Sequence, residues 1–392
     1  MAVKIVRQEN RIALLGAPVS AAALAPGGEG APASLRNAGL VPKLQSIGYE
    51  VADMGDDPVR AYEIDDESPR ARNLRNVLAA LDALRPRVEI AVKSGALPVV
   101  ISGDCSIALA VVASLRRYFR HVSLLYADAD ADLQTPATTP SGCLDGMVVS
   151  HLVGRGASEM VRFYSEPPLV REPDLALFGI SRLDPAEEQA LQTSPLRRYL
   201  AEDIRRRSPA KAASEAIERI HGNTHDFVLH FDVDVIAGFQ ATNLPSSDGL
   251  KIEELREAFS IFAAQPHLAA IEIAGYNPSK DSDGSCANLL IDFLGEILSI
   301  RREKMKTAAA EAPASPPPAK RAAANAAAIL ADDEAAAANA AANLSDESAV
   351  PPPVAGEAWS SDMLDQDEQR EPAEPLEQST SGTAGDTEDS HS

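Results

Sequence analysis

The segment VSLLYADADADLQTP, residues 122–136, starts as an apolar run and ends in alternating carboxylates. We read VSLLYADAD as a buried strand, because short continuous apolar runs are typical of strands that are covered on both faces. Asp128, Asp130 and Asp132 occupy alternate positions and would project to one face of an extended chain. At an effective dielectric constant of about 20, each neighbouring pair would repel by about 2.5 kcal/mol, so the segment predicts either a bound cation or a solvated strand end.

Five other segments of the chain have the same apolar character, and helical patterns separate them. The six predicted strands are RIALLGAPV, LPVVISGD, VSLLYADAD, DLALFGIS, DFVLHFDVDV and LAAIEIAGY. Between them, apolar residues recur at spacings of three and four, as in amphipathic helices. Alternating strands and helices require crossover connections, so we predict an α/β fold with a mostly parallel sheet that is covered by helices on both faces.

The composition of the chain changes near residue 306. Residues 307–392 consist largely of Ala, Pro, Ser, Glu and Asp, and they hold 17 of the 58 acidic and 3 of the 36 basic residues, a net charge of -14 out of -22. Such a segment cannot bury enough apolar surface to offset its chain entropy. We therefore expect residues 1–306 to form one domain and residues 307–392 to be a disordered acidic Ala/Pro-rich tail.

Charge, cysteine usage and hydropathy exclude several classes of protein. An isoelectric point of about 4.7 argues against nucleic-acid binding, which requires a clustered basic surface. Three cysteines provide no disulfide framework and indicate a reducing compartment, so we expect a cytoplasmic protein. No apolar run reaches the roughly 18 residues that span a bilayer, so no membrane association is expected. The first 25 residues are compatible with a signal peptide or a first strand, and Gly16 and Pro18 favour the strand.

Carboxylates follow the ends of three predicted strands. Asp104 closes LPVVISGD, Asp232 and Asp234 close DFVLHFDVDV, and the DADAD group at 128–132 closes the third. Ligands of open parallel sheets bind beyond the carboxyl ends of the strands, so these acids should meet at one edge. Hard cations such as Mn²⁺ and Mg²⁺ take oxygen ligands, and the DADAD and DVD acids together suffice for a pair of ions that acidify a shared water.

Three other interpretations of the acidic motifs remain open. A solvated strand end or turn accounts for either motif taken alone. A calcium loop of the EF-hand type also needs a glycine and a later glutamate at fixed positions, which TPATTPSG does not supply. A glycosyltransferase would use the D-x-D of HFDVDV to hold a metal and a nucleotide sugar, but that function leaves DADAD without a role.

Six motifs of the chain resemble, in order and approximate spacing, those of the arginase, agmatinase and formiminoglutamase family, the ureohydrolases. They are SGDCS (102–106), DADAD (128–132), TPATTPSGCLDGM (135–147), FGISRLDPAEEQAL (178–191), HFDVDV (230–235) and IEIAGYNP (271–278). The resemblance covers about residues 11–302. It implies a three-layer α/β/α sandwich with a binuclear manganese centre, in which a metal-bridging hydroxide attacks the carbon of a guanidino or amidine group.

The resemblance also implies a role for each residue of the site. The metal ligands would be Cys105, Asp128, Asp130, Asp132, Asp232 and Asp234. Asp132 would in addition orient the bridging hydroxide, and Asp145 would be the second catalytic residue, as a proton relay. The substrate-binding residues would be Gln134, Ser141, Cys143 and Asp184. Two manganese ions are the expected cofactor, with another divalent ion as the alternative.

Several positions depart from the motifs of the family. Cys105 and Asp130 stand where the family has histidine ligands, and Asp145 stands where it has a proton-shuttling histidine. Gly275 replaces a glutamate that would grip the guanidinium, and Cys143 replaces an asparagine that reads the substrate. The extra acids would leave the centre with excess negative charge, which attracts a cationic substrate. The structural alternatives are a packed Cys105 and a carboxylate, Asp145, that only stabilises a helix start.

We therefore expect a metal-dependent hydrolase of linear guanidino or amidine C–N bonds, acting on a small cationic substrate. The alternative is a catalytically inactive arginase-fold protein that binds a ligand or partner. This alternative stays open because the substitutions lie at positions that the family uses for metal binding and catalysis. The resemblance implies a homo-oligomer, a trimer or hexamer. His151, His221 and His230 are expected to be structural, since they lie in helical patterns or in the middle of a strand.

Overall fold

The computed structural model of the protein describes residues 5–311. One eight-stranded sheet has the order β2-β1-β3-β8-β7-β4-β5-β6, and every neighbouring pair is parallel. The strands are β1 Arg11–Ala17, β2 Glu50–Asp56, β3 Leu97–Ser102, β4 Val122–Ala127, β5 Leu175–Ile180, β6 Arg197–Leu200, β7 Asp226–Asp232 and β8 Leu268–Ala274. The α-helices are α1 Ala31–Asn37, α2 Leu40–Ser46, α3 Leu74–Lys93, α4 Ala108–Arg116, α5 Val148–Leu152, α6 Ser158–Val161, α7 Pro185–Gln192, α8 Ala201–Arg207, α9 Pro209–Arg219, α10 Ile252–Ala263 and α11 Ser285–Glu311.

Helices cover both faces of the sheet, as alternate residues of β1 show. Ile12 and Leu14 belong to one buried cluster, with residues of α1, α2, α9, α10 and α11. Ala13 and Leu15 belong to the other, with residues of α3, α4 and α5. Successive side chains of a strand point to opposite faces, so a strand that is covered twice is apolar throughout. The predicted three-layer α/β/α sandwich with a parallel sheet is confirmed.

The two strands that sequence analysis did not predict are the edge strands of the sheet. β2 and β6 lie at opposite ends of the strand order, and each pairs with one neighbour only. No residue of β2 is buried, and Tyr199 is the one buried residue of β6. A half-solvated edge strand has no continuous apolar run, so its sequence lacks the pattern that marks the central strands.

Four adjacent central strands, β3, β8, β7 and β4, end at the same edge of the sheet. Cys105 lies just beyond β3, Asp128 directly follows β4, and Asp232 is the last residue of β7. Ala127 pairs with Phe231, which sets the ends of β4 and β7 side by side. The predicted acidic strand ends therefore meet at one edge, and the fold positions a site there.

The two ends of the described chain bear on the predicted boundaries. Helix α11 runs to Glu311, past the predicted domain boundary at residue 306. The rest of the predicted acidic tail, 312–392, lies outside the described residues. Arg11–Ala17, within the segment compatible with a signal peptide, is a strand of the sheet between β2 and β3. Between residues 5 and 311, no helix combines the length and the hydrophobicity needed to cross a bilayer.

Candidate metal centre

A cavity of about 40 Å³ with an acidic lining lies beyond the carboxyl ends of the central strands. Its acidic residues are Asp128, Asp130, Asp132, Asp145, Asp232 and Asp234. The volume suits a metal ion with a few waters, since a water needs about 10–15 Å³ of such space, whereas small-molecule pockets typically reach about 300–1,000 Å³. A larger groove of about 610 Å³ lies at the edge strand β6, where arginine and glutamate side chains line open surface away from these acids.

The DADAD group forms the loop that follows β4 and does not continue the strand. β4 ends at Ala127, and Asp132 has a positive φ of 49°, which an extended chain does not adopt. The loop buries Asp128 and Asp132, which are 2% and 6% exposed, and leaves Asp130 half-buried. The hydroxyl of Tyr126 donates to Asp132 Oδ2. The predicted strand-like alternation of the three acids is therefore wrong, and it is the turning of the loop that brings them together.

Asp232 and Asp234 lie in the turn that ends β7. Asp232 Oδ1 accepts a hydrogen bond from the backbone N of Asp234 at 2.8 Å, and Asp234 Oδ1 accepts one from the backbone N of Ala129 at 3.2 Å. The second contact connects the ends of β7 and β4 directly. Carboxylate oxygens of Asp128, Asp232 and Asp234 all lie within 4.8 Å of one another. The two acidic motifs therefore form a single cluster, as the metal hypothesis requires.

The guanidinium of Arg182 occupies one side of the acidic cluster, which sequence analysis did not anticipate. Its Nε donates to Asp130 Oδ1 at 2.8 Å, and its Nη2 donates to Asp130 Oδ2 at 2.6 Å and to Asp234 Oδ2. Its Nη1 donates to the carbonyl oxygen of Leu244 at 2.7 Å. Burial alone would lower the pKa of Arg182, but the hydrogen bond to Asp130 and the charge of Asp234 raise that pKa above its ordinary value. Arg182 is therefore a permanent cation within the site.

A buried histidine lies on the other side of the cluster. His230, in the middle of β7, is fully buried, and its Nε2 is 4.0 Å from Asp128 Oδ2. Its Nδ1 is 3.2 Å from Glu272 Oε1 on β8, and the ring of Tyr126 stacks on it with centroids 4.0 Å apart. Within the described chain, neither ring nitrogen makes a hydrogen bond of good geometry. Ligand atoms of Cys105, Asp128 and His230 lie within 4.8 Å of one another, so His230, which was expected to be structural, is also a candidate metal ligand.

Cys105 and Asp145 complete the cluster next to the end of β3. Cys105 Sγ donates to Asp232 Oδ2 at 2.9 Å, and the backbone N of Cys105 donates to Asp145 Oδ1 at 2.7 Å. The Cys105 side chain is 2% exposed, whereas Asp145 is partly exposed and lines the cavity. Both residues therefore lie beside the acids, as the resemblance implies, and the thiol packs against a carboxylate.

Burial and mutual repulsion raise the pKa of four acids in the cluster. The acids whose pKa lies well above the ordinary range are Asp128, Asp132, Asp145 and Asp234. Burial is the largest cause for each, and the charges of neighbouring aspartates add to it. Burial and the charge of Asp232 likewise raise the pKa of the Cys105 thiol. Buried acids with raised pKa values, beside an imidazole without a hydrogen-bond partner, fit a divalent cation that exchanges for their protons.

The four residues predicted to bind substrate do not line this cavity. They are Gln134, Ser141, Cys143 and Asp184. Asp184 is the N-cap of α7: its Oδ1 accepts from the backbone N of Ala186 at 2.8 Å and of Glu187 at 2.9 Å, and its Oδ2 accepts from Gln134 Nε2. Ser141 Oγ accepts from the backbone N of Cys143 at 3.1 Å. The side chains of Gln134, Ser141 and Asp184 make hydrogen bonds within the fold, whereas Gln134 Oε1 has no partner among residues 5–311. The role of the four residues toward a substrate stays a prediction.

Gly275 has a conformation and surroundings that exclude the glutamate expected from the resemblance. Its φ is 79°, and a β-carbon at this position would lie 2.3 Å from Asp232 Oδ1. No side chain can be placed there unless Asp232 moves. Glycine at position 275 is therefore compatible with the observed position of Asp232, and a larger residue is not.

The fold and the site together define an α/β/α protein with a candidate metal centre at the edge of a parallel sheet. The model of the Arginase family matches residues 10–299. The arginase of Bacillus caldovelox is 25% identical over 292 residues, which are 73% of this chain and 97% of that protein. The chain belongs to the arginase family.

Solved structures show the same fold. The crystal structure of arginase from Bacillus cereus aligns with a TM-score of 0.66 at 25% identity, and it covers 74% of this chain and 98% of that one. The crystal structure of formimidoylglutamase from Bacillus subtilis aligns with a TM-score of 0.59 at 18% identity, and it covers 76% of this chain and 88% of that one. The chain therefore spans nearly the whole length of these relatives. The positions at which it departs from the family motifs lie inside the shared domain.

Proposed function

We propose that the protein is a metal-dependent hydrolase of the ureohydrolase type, which cleaves a linear C–N bond of a small guanidino or amidine compound. The observation that supports it most is the cluster of Asp128, Asp232 and Asp234, whose oxygens lie within 4.8 Å of one another in a member of the arginase family. Buried carboxylates at such spacing are unfavourable without a counter-charge. Arg182 pairs with Asp234, and a resident divalent ion would supply the counter-charge for Asp128 and Asp232.

Each residue of the centre has a role in this proposal. Asp128 would contribute an oxygen ligand to the cation, and Asp232 lies beside it in the same cluster. A bound divalent ion lowers the pKa of water and so supplies a nucleophile at neutral pH. Asp132, fixed by the Tyr126 hydroxyl, orients the attacking water, and Asp145 at the cavity wall passes a proton to the departing amine. Manganese is the ion expected from the family, and a thiol beside the site also suits zinc or iron.

A cationic substrate suits the charge of the site, but the cavity must widen to admit one. The lining is strongly acidic, so it concentrates small cations. Leu24 and Leu244 belong to the same lining and are 40% and 45% exposed. Arg182 holds the backbone of Leu244 through its Nη1, so a loosening of this contact would be one way to widen the cavity. We further expect a cytoplasmic homo-oligomer, a trimer or hexamer, with no nucleic-acid partner.

The proposal is tested by turnover of the full-length chain after loading with Mn²⁺, Zn²⁺ or Fe²⁺ in turn. A panel of guanidino and amidine compounds is incubated with each form, and release of urea, ammonia or formamide is measured. We expect at least one pair of metal and substrate to react, and Asp232→Asn to abolish the reaction. Asp82→Asn, at an exposed position, is the matched control and should retain it. Absence of turnover with every metal would refute the proposal.

A second candidate function is a catalytically inactive arginase-fold protein that binds a ligand or partner. The observation that favours it is the bidentate ion pair between Arg182 and Asp130, which fills part of the site with the protein's own side chain. It predicts that guanidino compounds bind without reacting, which calorimetry on the metal-loaded protein measures. A product that appears with the wild-type chain and disappears with Asp232→Asn would eliminate this candidate.

A further inference from the structure

We propose that the centre holds a single divalent ion, bound by Cys105, Asp128 and His230, and that the guanidinium of Arg182 takes the place of a second ion. The reaction that this ion would support is the one in the proposed function, so this inference rests on that proposal. The number of ions per chain, however, is measurable without turnover. The ligands of this ion differ from those expected at the sequence level, because His230 comes from the middle of β7.

The surroundings of His230 are those of a metal ligand. A histidine that binds a metal usually donates its other ring N–H to a carboxylate, which fixes the tautomer and the ring orientation. Here Glu272, fully buried on β8, lies 3.2 Å from Nδ1, close enough for such a bond after a small rotation of the ring, and Nε2 is the nitrogen that faces Asp128. Tyr126 stacks nearly parallel to the imidazole, at an interplanar angle of 5°, and holds its plane. Among residues 5–311 this buried Nε2 has no hydrogen-bond partner, and it lies beside a thiol and a carboxylate with which it could bind a cation.

The opposite side of the cluster is already occupied by Arg182. Its guanidinium binds both oxygens of Asp130 and also Asp234 Oδ2. Asp234 Oδ1 accepts from the backbone N of Ala129, so both oxygens of Asp234 have partners within the protein. A metal ion bound to Asp130 and Asp234 would have to displace the guanidinium or lie against it, and like charges in contact repel. The side chain of Arg182 therefore supplies the positive charge that a second ion would bring.

The donors on the His230 side favour a borderline ion over manganese. One sulfur, one imidazole nitrogen and one carboxylate oxygen form the kind of ligand set that zinc or ferrous iron prefers, whereas manganese prefers oxygen. Cys105 binds as the thiolate, so ion binding releases the proton that the thiol now shares with Asp232 Oδ2. We therefore expect Zn²⁺ to bind more tightly than Mn²⁺.

The ion count tests the exclusion of a second metal. The purified full-length chain is equilibrated with excess Zn²⁺ or Mn²⁺, desalted and analysed by mass spectrometry for metal per chain. We expect one ion in the wild type and two in Arg182→Met, which keeps an unbranched side chain as far as the position of Nε and removes the charged end of the guanidinium. Arg171→Met is the matched control, because Arg171 is an exposed arginine that pairs with Asp174, and it should bind one ion. Two ions in the wild type, or one in a folded Arg182→Met, would overturn the exclusion.

A cobalt spectrum tests the ligands directly. Loading with Co²⁺ should produce a thiolate-to-cobalt charge-transfer band in the near ultraviolet, and Cys105→Ser should remove the band. Cys286→Ser is the control, because Cys286 lies outside the cluster, and it should keep the band. Glu272→Gln, which alters only the positioning residue, should weaken Co²⁺ affinity about 10–100-fold while the band remains. A wild-type spectrum without the band, or Glu272→Gln with unchanged affinity, would overturn the ligand assignment, whatever the outcome of the turnover assays.

Discussion

Gly275 lies against Asp232 so closely that a β-carbon at position 275 would come within 2.3 Å of Asp232 Oδ1. Its positive φ of 79° adds a conformational constraint that any other residue would meet. The chain directly after β8 therefore packs closely against a carboxylate of the candidate metal centre. Substitution at this glycine should affect both stability and metal binding.

Gly275→Ala is expected to lower the free energy of unfolding by about 2–4 kcal/mol and to weaken metal binding, because the methyl group displaces Asp232. Gly284→Ala is the matched control: φ is 71°, but nothing lies within 4 Å of the added carbon. It should cost about 1 kcal/mol from backbone strain alone and leave metal affinity unchanged. Denaturant unfolding and zinc titration measure both quantities. Equal effects of the two substitutions would contradict the contact with Asp232.

Asp128→Asn is expected to stabilise the metal-free protein while abolishing its response to metal. Asparagine keeps the oxygen that accepts from the backbone N of Asp130 and removes one of several mutually repelling carboxyl groups. A gain of about 1–2 kcal/mol at pH 8 is expected. With zinc at 100 times its dissociation constant, the wild type should gain about 2.7 kcal/mol and the variant nothing. Asp82→Asn serves as the exposed control, and a variant that still gains stability from zinc would count against Asp128 as a ligand.

His151 should make stability depend on pH between about 4 and 6.5. Burial lowers the pKa of His151 to about 4 in the folded protein, and its Nε2 accepts from the backbone N of Ala157 at 3.3 Å. In that window the unfolded chain binds more protons, so stability is fully present above pH 6.5 and falls as the pH falls toward 4, by at most about 3 kcal/mol from this residue. His151→Gln keeps an acceptor and removes the titration. Unfolding curves at pH 7 and pH 5 should therefore differ less for the variant than for the wild type.

Two substitutions of Asp184 can distinguish its role as the N-cap of α7 from its predicted contact with substrate. Asp184→Ala removes the acceptor for the backbone N of Ala186 and Glu187, and it should lower stability by about 1 kcal/mol. Asp184→Ser retains an N-cap acceptor and should be nearly as stable as the wild type. If Asp184 also binds substrate, both variants should raise KM in whichever reaction the panel detects. A normal KM in Asp184→Ser would restrict the residue to the cap.

The central strands could be predicted from the sequence, and the edge strands could not. β1, β3, β4, β5, β7 and β8 are covered on both faces, so their sequences are continuous apolar runs. β2 and β6 lie at the edges and are largely solvated, so their residues carry no such pattern. The meeting of acids at one edge followed from parallel topology, and the acids do lie together there, whereas their roles stay predictions.

The two residues that sequence analysis missed differ in how much signal they offered. His230 precedes Asp232 by two positions, and residues two apart on a strand share a face. The sequence alone could therefore have predicted that His230 lies near the acids. Arg182 lies in a loop after β5, the strand next to β4. The direction of a long side chain in a loop depends on tertiary contacts, here with Asp130 and Asp234, which no local pattern encodes.

The guanidinium of Arg182 is tethered by a covalent chain, and this distinguishes it from any exchangeable ion. It has no dissociation constant, so every folded copy carries it whether metal is scarce or abundant, and chelators cannot strip it. Part of the positive charge at this sheet edge is therefore encoded in the amino-acid sequence. Only the remainder has to come from an ion in solution.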